Sequence, residues 1–180
     1  MEKHIEKEYK LLVSQHDFET LRSFFPDLKG VDQINRYYDN ANHDLTRKHI
    51  AMRIRTKNNT YLFTLKRHTS EGLQECECYL ANDDITQLSS QPVKDLLNSF
   101  GISGHFECIA SLTTNRAVYL SPDYELCFDI NYYNDKVDYE IEYEYRTEHD
   151  GLSNFKAILN QANLEYQQNA PAKIKRALQK

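Results

Sequence analysis

Much of the chain alternates between polar and apolar residues with a period of two, the pattern of a β-strand that buries one face. Nine segments show this alternation: 5–13, 33–38, 51–56, 59–66, 74–80, 106–114, 116–120, 124–131 and 136–145. Four segments have helical spacing instead, opening at Ser14, Ser90, Ser153 and Pro171, the last running to Lys180. Many strands with few helices predict an α+β fold built on an antiparallel sheet or barrel.

Length and charge exclude several classes of protein. The 180 residues contain no Pro/Gly/Ser-rich linker and no repeat, so we expect a single domain over residues 1–180. The formal net charge is −5, which disfavours a nucleic-acid partner because such binders need a basic face. No run approaches the ~18 apolar residues of a membrane span, and the N-terminus has no signal-peptide core. We therefore expect a cytoplasmic protein without a membrane partner.

The four cysteines do not form a zinc pattern. Cys76 and Cys78 share one face of a predicted strand, whereas Cys108 and Cys127 lie far away without histidines at zinc spacing. We expect reduced thiols packed in the fold, as is usual in the cytosol.

Charged residues occupy the alternate positions, and their sign is sorted by strand. Acids cluster on segments 5–13, 74–80 and 136–145, whereas bases cluster on segments 51–56 and 59–66. Like charges two residues apart repel unless something binds between them. If the helices cover the apolar face, the charged face lines an interior lumen. The alternative is an ordinary half-buried sheet whose charges face water, which fits each strand taken alone.

A charged lumen of this kind has a defined chemistry. Paired carboxylates without His or Cys suit the hard cations Mg²⁺ and Mn²⁺. Arg and Lys beside them suit phosphate oxygens, and Arg adds bidentate geometry. The pattern thus indicates a metal-dependent polyphosphate site.

Several motifs occur in one order along the chain. They are Glu6-Lys7-Glu8-Tyr9-Lys10, Tyr37-Tyr38-Asp39, Met52-Arg53-Ile54-Arg55, Phe63-Thr64-Leu65-Lys66, Glu75-Cys76-Glu77, Thr113-Thr114-Asn115-Arg116, Asp129, the run Tyr139 to Glu144, and Lys173-Ile174-Lys175-Arg176. In this order they resemble the CYTH superfamily, the triphosphate tunnel metalloenzymes, which includes class IV adenylyl cyclases and thiamine triphosphatases. The resemblance implies a closed eight-stranded antiparallel β-barrel with a charged interior and helices outside.

The resemblance also implies a role for each charged residue. Two divalent cations, Mg²⁺ or Mn²⁺, would be held by Glu6, Glu8, Asp129, Glu140 and Glu142. The phosphates would be bound by Lys10, Arg53, Arg55, Lys66, Arg116 and Lys173. Glu75 and Glu77 would be additional tunnel acids, and the catalytic group would comprise Glu6, Glu8, Lys10 and Glu142.

The implied function is a metal-dependent hydrolase of a small-molecule triphosphate, foremost inorganic tripolyphosphate. A thiamine triphosphatase is one alternative, although the chain has no Trp to stack on thiamine. A class IV adenylyl cyclase and a non-catalytic module that binds triphosphate or polyphosphate are the others. The sequence does not indicate the oligomeric state or the choice between the two metals.

Overall fold

The computed structural model describes residues 1–70 and 72–179, and these contain nine strands. The strands are β1 (Glu2–Glu6), β2 (Glu8–Val13), β3 (Val31–Asn40), β4 (Ile50–Lys57), β5 (Thr60–Thr69), β6 (Gly72–Leu80), β7 (Phe106–Leu120), β8 (Tyr124–Tyr133) and β9 (Lys136–Tyr145). The helices are α1 (Gln15–Arg22), α2 (Asp44–Arg47), α3 (Gln91–Ser99), α4 (Gly151–Asn160) and α5 (Lys173–Ala177), with a 3₁₀ helix over Ile85–Ser89.

The chain divides into two compact units. The first comprises residues 1–5, 33–112 and the chain from Ala177 onward; the second comprises residues 6–32 and 113–176. The expectation of one domain over residues 1–180 stays a prediction, and Lys180, which ends the last predicted helix, lies outside the described residues.

The first unit is a sheet covered on one face by helices. Its strands follow the order β1-β6-β5-β4-β3. Apolar positions such as Met52, Ile54 and Phe63 pack with Leu96 and Leu97 of α3 in one buried cluster. Ser90 precedes α3, Pro92 lies in its first turn, and Gly101 follows it with a φ of 65°, a left-handed conformation that glycine adopts without steric cost.

The second unit repeats this design with other helices. Its strands follow the order β7-β8-β9-β2. Phe18 of α1 and Phe155 of α4 pack with Phe128 of β8 and Ile141 of β9 in a separate buried cluster. Ser14 caps α1 by accepting a hydrogen bond from the Asp17 backbone N–H, as its position predicts.

Two tight hairpins fix the register of the strands that carry most of the charges. Asn58 and Asn59 connect β4 to β5, and Asn134 and Asp135 connect β8 to β9, all four with positive φ. Two-residue loops with positive φ at both positions match the right-handed twist of the flanking strands, and Asn and Asp tolerate this conformation. Each register is therefore set by its turn as well as by the hydrophobic pattern.

The antiparallel α+β class is confirmed, whereas the predicted number of eight strands is corrected to nine. The predicted strand 5–13 breaks at Lys7, because β1 lies beside β6 and β2 pairs with β9. The predicted segments 106–114 and 116–120 form one strand, β7. The predicted helix start at Ser153 is two residues late, because Asp150 is the capping residue and accepts from the Ser153 N–H.

Candidate active site

The register of the second unit gathers charged side chains on the face opposite the helices. Asp129 is paired with both Arg116 and Glu140, and Glu142 is paired with Lys10. Side chains of directly opposed residues point to the same face, so these five share one face of the sheet. The intervening Phe128 and Ile141 belong to the helix-covered core.

Three carboxylates form the centre of this face. Asp129 and Glu140 have no exposed surface and Glu142 is 5% exposed. One ligand atom from each lies within 4.8 Å of the others, close enough to share one cation. We call Asp129, Glu140 and Glu142 the acid cluster.

Two further groups of potential ligands lie in the same unit. Glu6, Glu8 and Glu144 form one, and Glu125, Cys127 and Glu144 form the other, each with ligand atoms within 4.8 Å. All five predicted metal ligands thus fall into two groups, Glu6 and Glu8 in one and the acid cluster in the other. Glu144 completes the group of Glu6 and Glu8, although the sequence pattern did not distinguish it from a solvated strand residue.

Arg116 and Lys173 hold the acid cluster together. The Arg116 Nε donates to Asp129 Oδ1 at 2.8 Å and its terminal nitrogen to Oδ2 at 2.7 Å, a bidentate pair, and it also contacts Glu142. The Lys173 ammonium donates to Glu140 and to Glu142 Oε1, the latter at 2.5 Å, and lies 2.9 Å from Asp129 Oδ2. Both residues were predicted to bind phosphate, and in the structure both contact carboxylates.

The outer members of the face are paired as well. Lys10 donates to Glu8, and the second terminal nitrogen of Arg116 donates to Glu144 at 3.0 Å. Arg176 lies 2.7 Å from Glu140 Oε2. Glu140 therefore has a cation at each of its two oxygens.

The surroundings drive the pKa values of the paired glutamates apart. Burial disfavours the charged form of Glu142, but Lys173 and Arg116 outweigh it and hold its pKa well below the ordinary value. Burial dominates at Glu140 and, together with the Glu142 charge and a hydrogen bond to Glu142, raises the pKa to about 8 against the pull of Lys173 and Arg176. The pKa values of two carboxyls of one strand are thus shifted in opposite directions, as in many sites where like charges are forced together.

The first unit carries a smaller group in which bases surround an acid. Glu75 is buried, with Lys66 Nζ at 3.3 Å, Arg53 at 3.6 Å and His4 Nε2 at 3.2 Å from its oxygens. Burial opposes the charge of Glu75, yet Lys66 and Arg53 lower its pKa. The register pairs Lys66 with Glu75 and Arg53 with Thr64, so these residues share the face opposite the apolar core.

Two more predicted residues of the first unit, Arg55 and Glu77, form hydrogen bonds with neutral side chains. The Arg55 Nε donates to Asn35 Oδ1 at 3.0 Å, and the Thr64 hydroxyl donates to Glu77 Oε1 at 3.0 Å. Asn35, Thr64 and His4 were not predicted as site residues. The period-two phase could have identified Thr64, since it shares its face with Lys66.

One motif residue has a role in the fold. Asp39 is buried and accepts hydrogen bonds from the backbone N–H groups of Asn40, Leu45 and Thr46 and from the Thr46 hydroxyl. These bonds shape the connection from β3 to α2.

The four cysteines are free thiols, but Cys108 is exposed, so the expectation that all four pack in the fold is wrong for this residue. Cys127 is buried beside Glu144, with Sγ 3.9 Å from Oε1.

Comparison with known proteins identifies the class. Residues 4–178 match the CYTH domain, so the chain belongs to the CYTH domain family. It is 34% identical over 170 residues to the "Putative triphosphatase YjbK" of Bacillus subtilis (strain 168), covering 91% of this chain and 90% of that protein.

Two solved structures are similar over nearly their whole length. A "putative adenylate cyclase (bh2851)" from Bacillus halodurans has a TM-score of 0.85 and 32% identity, with 98% of each chain covered. HpAC1 from Hippeastrum, a "putative adenylyl cyclase" described as having a dominant triphosphatase activity, has a TM-score of 0.78 and 23% identity, covering 95% of this chain and 94% of its own. At that identity the second likeness concerns the fold alone.

Among the described residues, no helix combines the length and the apolar character that crossing a membrane requires.

Proposed function

We propose that this chain is a divalent-metal-dependent triphosphatase whose principal substrate is inorganic tripolyphosphate. The observation that carries the proposal is the acid cluster, three carboxylates buried within 4.8 Å of one another on a strand face. Burying like charges together costs free energy, and such arrangements are typical of functional sites. The relative of 34% identity named as a triphosphatase favours hydrolysis over the other activities known in the family.

The donor set fits the proposed cations. Mg²⁺ and Mn²⁺ prefer oxygen ligands, and the acid cluster offers carboxylate oxygens alone. Asp129, Glu140 and Glu142 would hold one cation, and Glu6 and Glu8, with Glu144, would hold a second. Bound cations would neutralise charge on the phosphate oxygens as Lewis acids.

The protein's own residues would then bind and orient the substrate. Arg53, Arg55 and Lys66 would hold phosphate oxygens and stabilise the charge spread over them in the loose transition state of phosphoryl transfer. Lys10, Arg116 and Lys173 are the other residues proposed to bind phosphate oxygens. Glu75 keeps Arg53 and Lys66 in place.

Glu142 suits an orienting role better than that of a proton acceptor. Its lowered pKa keeps it charged near neutral pH, so it can accept a hydrogen bond from the attacking water but is a weak base. Attack on a terminal phosphorus would break one anhydride bond and release orthophosphate and pyrophosphate.

A substrate panel tests the proposal. Tripolyphosphate, thiamine triphosphate, ATP and GTP are each incubated with Mg²⁺ or Mn²⁺, and orthophosphate, pyrophosphate and cyclic nucleotide are measured. We expect orthophosphate from tripolyphosphate at the highest rate, abolished by a chelator. Tight binding of tripolyphosphate without turnover would contradict the proposal and support a binding module.

An adenylyl cyclase is the second candidate, because the similar structure from Bacillus halodurans is named as one. In the same panel, cyclic AMP and pyrophosphate in equal amounts from ATP would support the cyclase over the hydrolase.

A further inference from the structure

The last residues of the second unit form a segment that is anchored at one end and charged at the other. This C-terminal segment comprises residues 165–176. It has irregular backbone over residues 165–172 and ends in the first residues of α5. Two of its side chains, Lys173 and Arg176, contact the acid cluster.

The anchor is the backbone of β2. Asn169 Oδ1 accepts from the Lys10 N–H at 2.7 Å, and Asn169 Nδ2 donates to the Glu8 carbonyl at 3.2 Å. The Ala170 N–H donates to the Lys10 carbonyl at 3.0 Å. Asn169 thus supplies both a donor and an acceptor to β2, the last strand in the order β7-β8-β9-β2, at Glu8 and Lys10 of the first motif.

The charged end places an ammonium group among all three carboxylates. Lys173 Nζ contacts Glu140, lies 2.5 Å from Glu142 Oε1 and lies 2.9 Å from Asp129 Oδ2. Its side chain is 11% exposed. Burial disfavours its charge, but Asp129, Glu142 and Glu140 outweigh burial and raise the Lys173 pKa well above the ordinary value. An ammonium with three carboxylate oxygens around it satisfies the oxygens that a divalent cation would need.

We propose that Lys173 competes with the divalent cation for Asp129, Glu140 and Glu142, and that Asn169 is a positioning residue that keeps this competitor close. The inference rests on the proposed metal-dependent function and adds a built-in competitor to it. Because the ammonium is tethered, its effective concentration at the cluster is high, and a cation must displace it before all three carboxylates become available. Once displaced, Lys173 can contact an anion instead, which ties cation binding to phosphate binding.

Binding of Mn²⁺ alone tests the competition without any turnover. Free Mn²⁺ is titrated by electron paramagnetic resonance in the parent, Lys173→Met, Asn169→Ala and the control Lys175→Met, whose side chain is exposed on the same helix. We expect Lys173→Met to bind Mn²⁺ about tenfold more tightly, within the usual range of coupling between two sites. Asn169→Ala, which changes no charge, should show a smaller increase, and Lys175→Met should match the parent. Unchanged or weaker binding in Lys173→Met, or no Mn²⁺ binding in any variant, would overturn the competition.

A second measurement uses the unaltered protein, in case Lys173→Met does not fold. The acylation rates of Lys173 and Lys175 by an amine-reactive reagent are compared by mass spectrometry with and without saturating Mg²⁺. We expect Mg²⁺ to raise the Lys173 rate several-fold and to leave Lys175 unchanged. A Lys173 rate that stays constant while calorimetry shows Mg²⁺ bound would refute the displacement. Neither measurement involves hydrolysis, so a protein that fails the substrate panel can still pass both.

Discussion

The two units of this protein share one design and differ in the charge of their predicted site residues. In each, helices cover the apolar face of antiparallel strands and leave the charged face on the other side. In the first unit the predicted site residues are mainly bases: Arg53, Arg55 and Lys66 against Glu75 and Glu77. In the second they are mainly acids: Glu6, Glu8, Asp129, Glu140 and Glu142 against Lys10, Arg116 and Lys173.

This difference in charge indicates that the site residues of the two units bind ligands of opposite charge. A surplus of buried bases is relieved by an anion, and a surplus of buried acids by a cation, because opposite charge is the most effective compensation where water is scarce. In the first unit, Glu75 contacts both Arg53 and Lys66 and so acts as their counter-ion. In the second unit the counter-ions of the acids are Arg116, Lys173 and Arg176.

The largest effect is expected from Glu142, which contacts both Arg116 and Lys173. Glu142→Gln removes a proposed metal ligand, and we expect turnover of tripolyphosphate to fall at least about 100-fold, since even groups that only support metal ligands contribute 10–100-fold. Steady-state kinetics at saturating Mg²⁺ measure this. Glu19→Gln, at an exposed position of α1, is the control and should retain parental turnover. Parental activity in Glu142→Gln would remove this residue from the site.

A smaller effect is expected in the base-rich unit. Arg55→Ala should raise KM for tripolyphosphate about 10- to 100-fold, because a charge-assisted hydrogen bond is worth about 1.5–3 kcal/mol. Arg55→Lys should recover part of this, since an ammonium cannot replace a bidentate fork. Lys94→Ala, exposed on α3, is the control. Equal KM values for Arg55→Lys and the parent would argue against bidentate binding.

The sequence predicted the strands and their charged faces, but it did not predict which residues contact one another in the site. Period-two alternation identified the strands and the side-chain faces, because that period follows directly from strand geometry. It could not show that strand 5–13 breaks at Lys7, since that break depends on which strands pair with each half. It also gave no signal for Asn169, which lies in irregular backbone where no periodicity exists. Nor could it show that Arg116 and Lys173 contact carboxylates, because the choice between partners is made in three dimensions.

A stability comparison sharpens the contrast between the units. Glu75→Gln leaves Arg53 and Lys66 without their shared counter-ion, so we expect a loss of about 1–3 kcal/mol in the free energy of unfolding. Glu140→Gln should change the free energy of unfolding much less at pH 7, because the raised pKa of Glu140 already favours the neutral form of this side chain. Urea denaturation of both variants in a chelator measures the difference. If Glu140→Gln lowers the free energy of unfolding more than Glu75→Gln does, Glu140 is the acid that acts as a counter-ion, and our interpretation of Glu75 is wrong.

Glu140 should also make the stability of the protein without metal depend on pH. The pKa of Glu140 is about 8 in the folded protein, against an ordinary value of 4.5. Between pH 4.5 and 8 the folded state therefore binds more protons than the unfolded state. The free energy of unfolding should therefore fall as pH rises from about 5 to 8, with a slope of at most ~1.4 kcal/mol per pH unit. The lowered pKa of Glu142 makes the free energy of unfolding rise with pH instead, but only at pH values below the ordinary pKa of a glutamate.

Urea denaturation at pH 5, 6, 7 and 8 resolves this contribution when the parent is compared with Glu140→Gln. The variant lacks the titrating group, so its curve should be flatter than that of the parent over this range. Saturating Mg²⁺ should flatten the parent's curve as well, because a cation bound to the acid cluster stabilises the charged form of Glu140 and lowers its pKa. Parallel curves for parent and variant in a chelator would mean that Glu140 is charged throughout, and that Lys173 and Arg176 compensate it fully. Glu140 would then be a compensated acid, and it would not belong to the acid surplus that distinguishes the second unit from the base-rich unit.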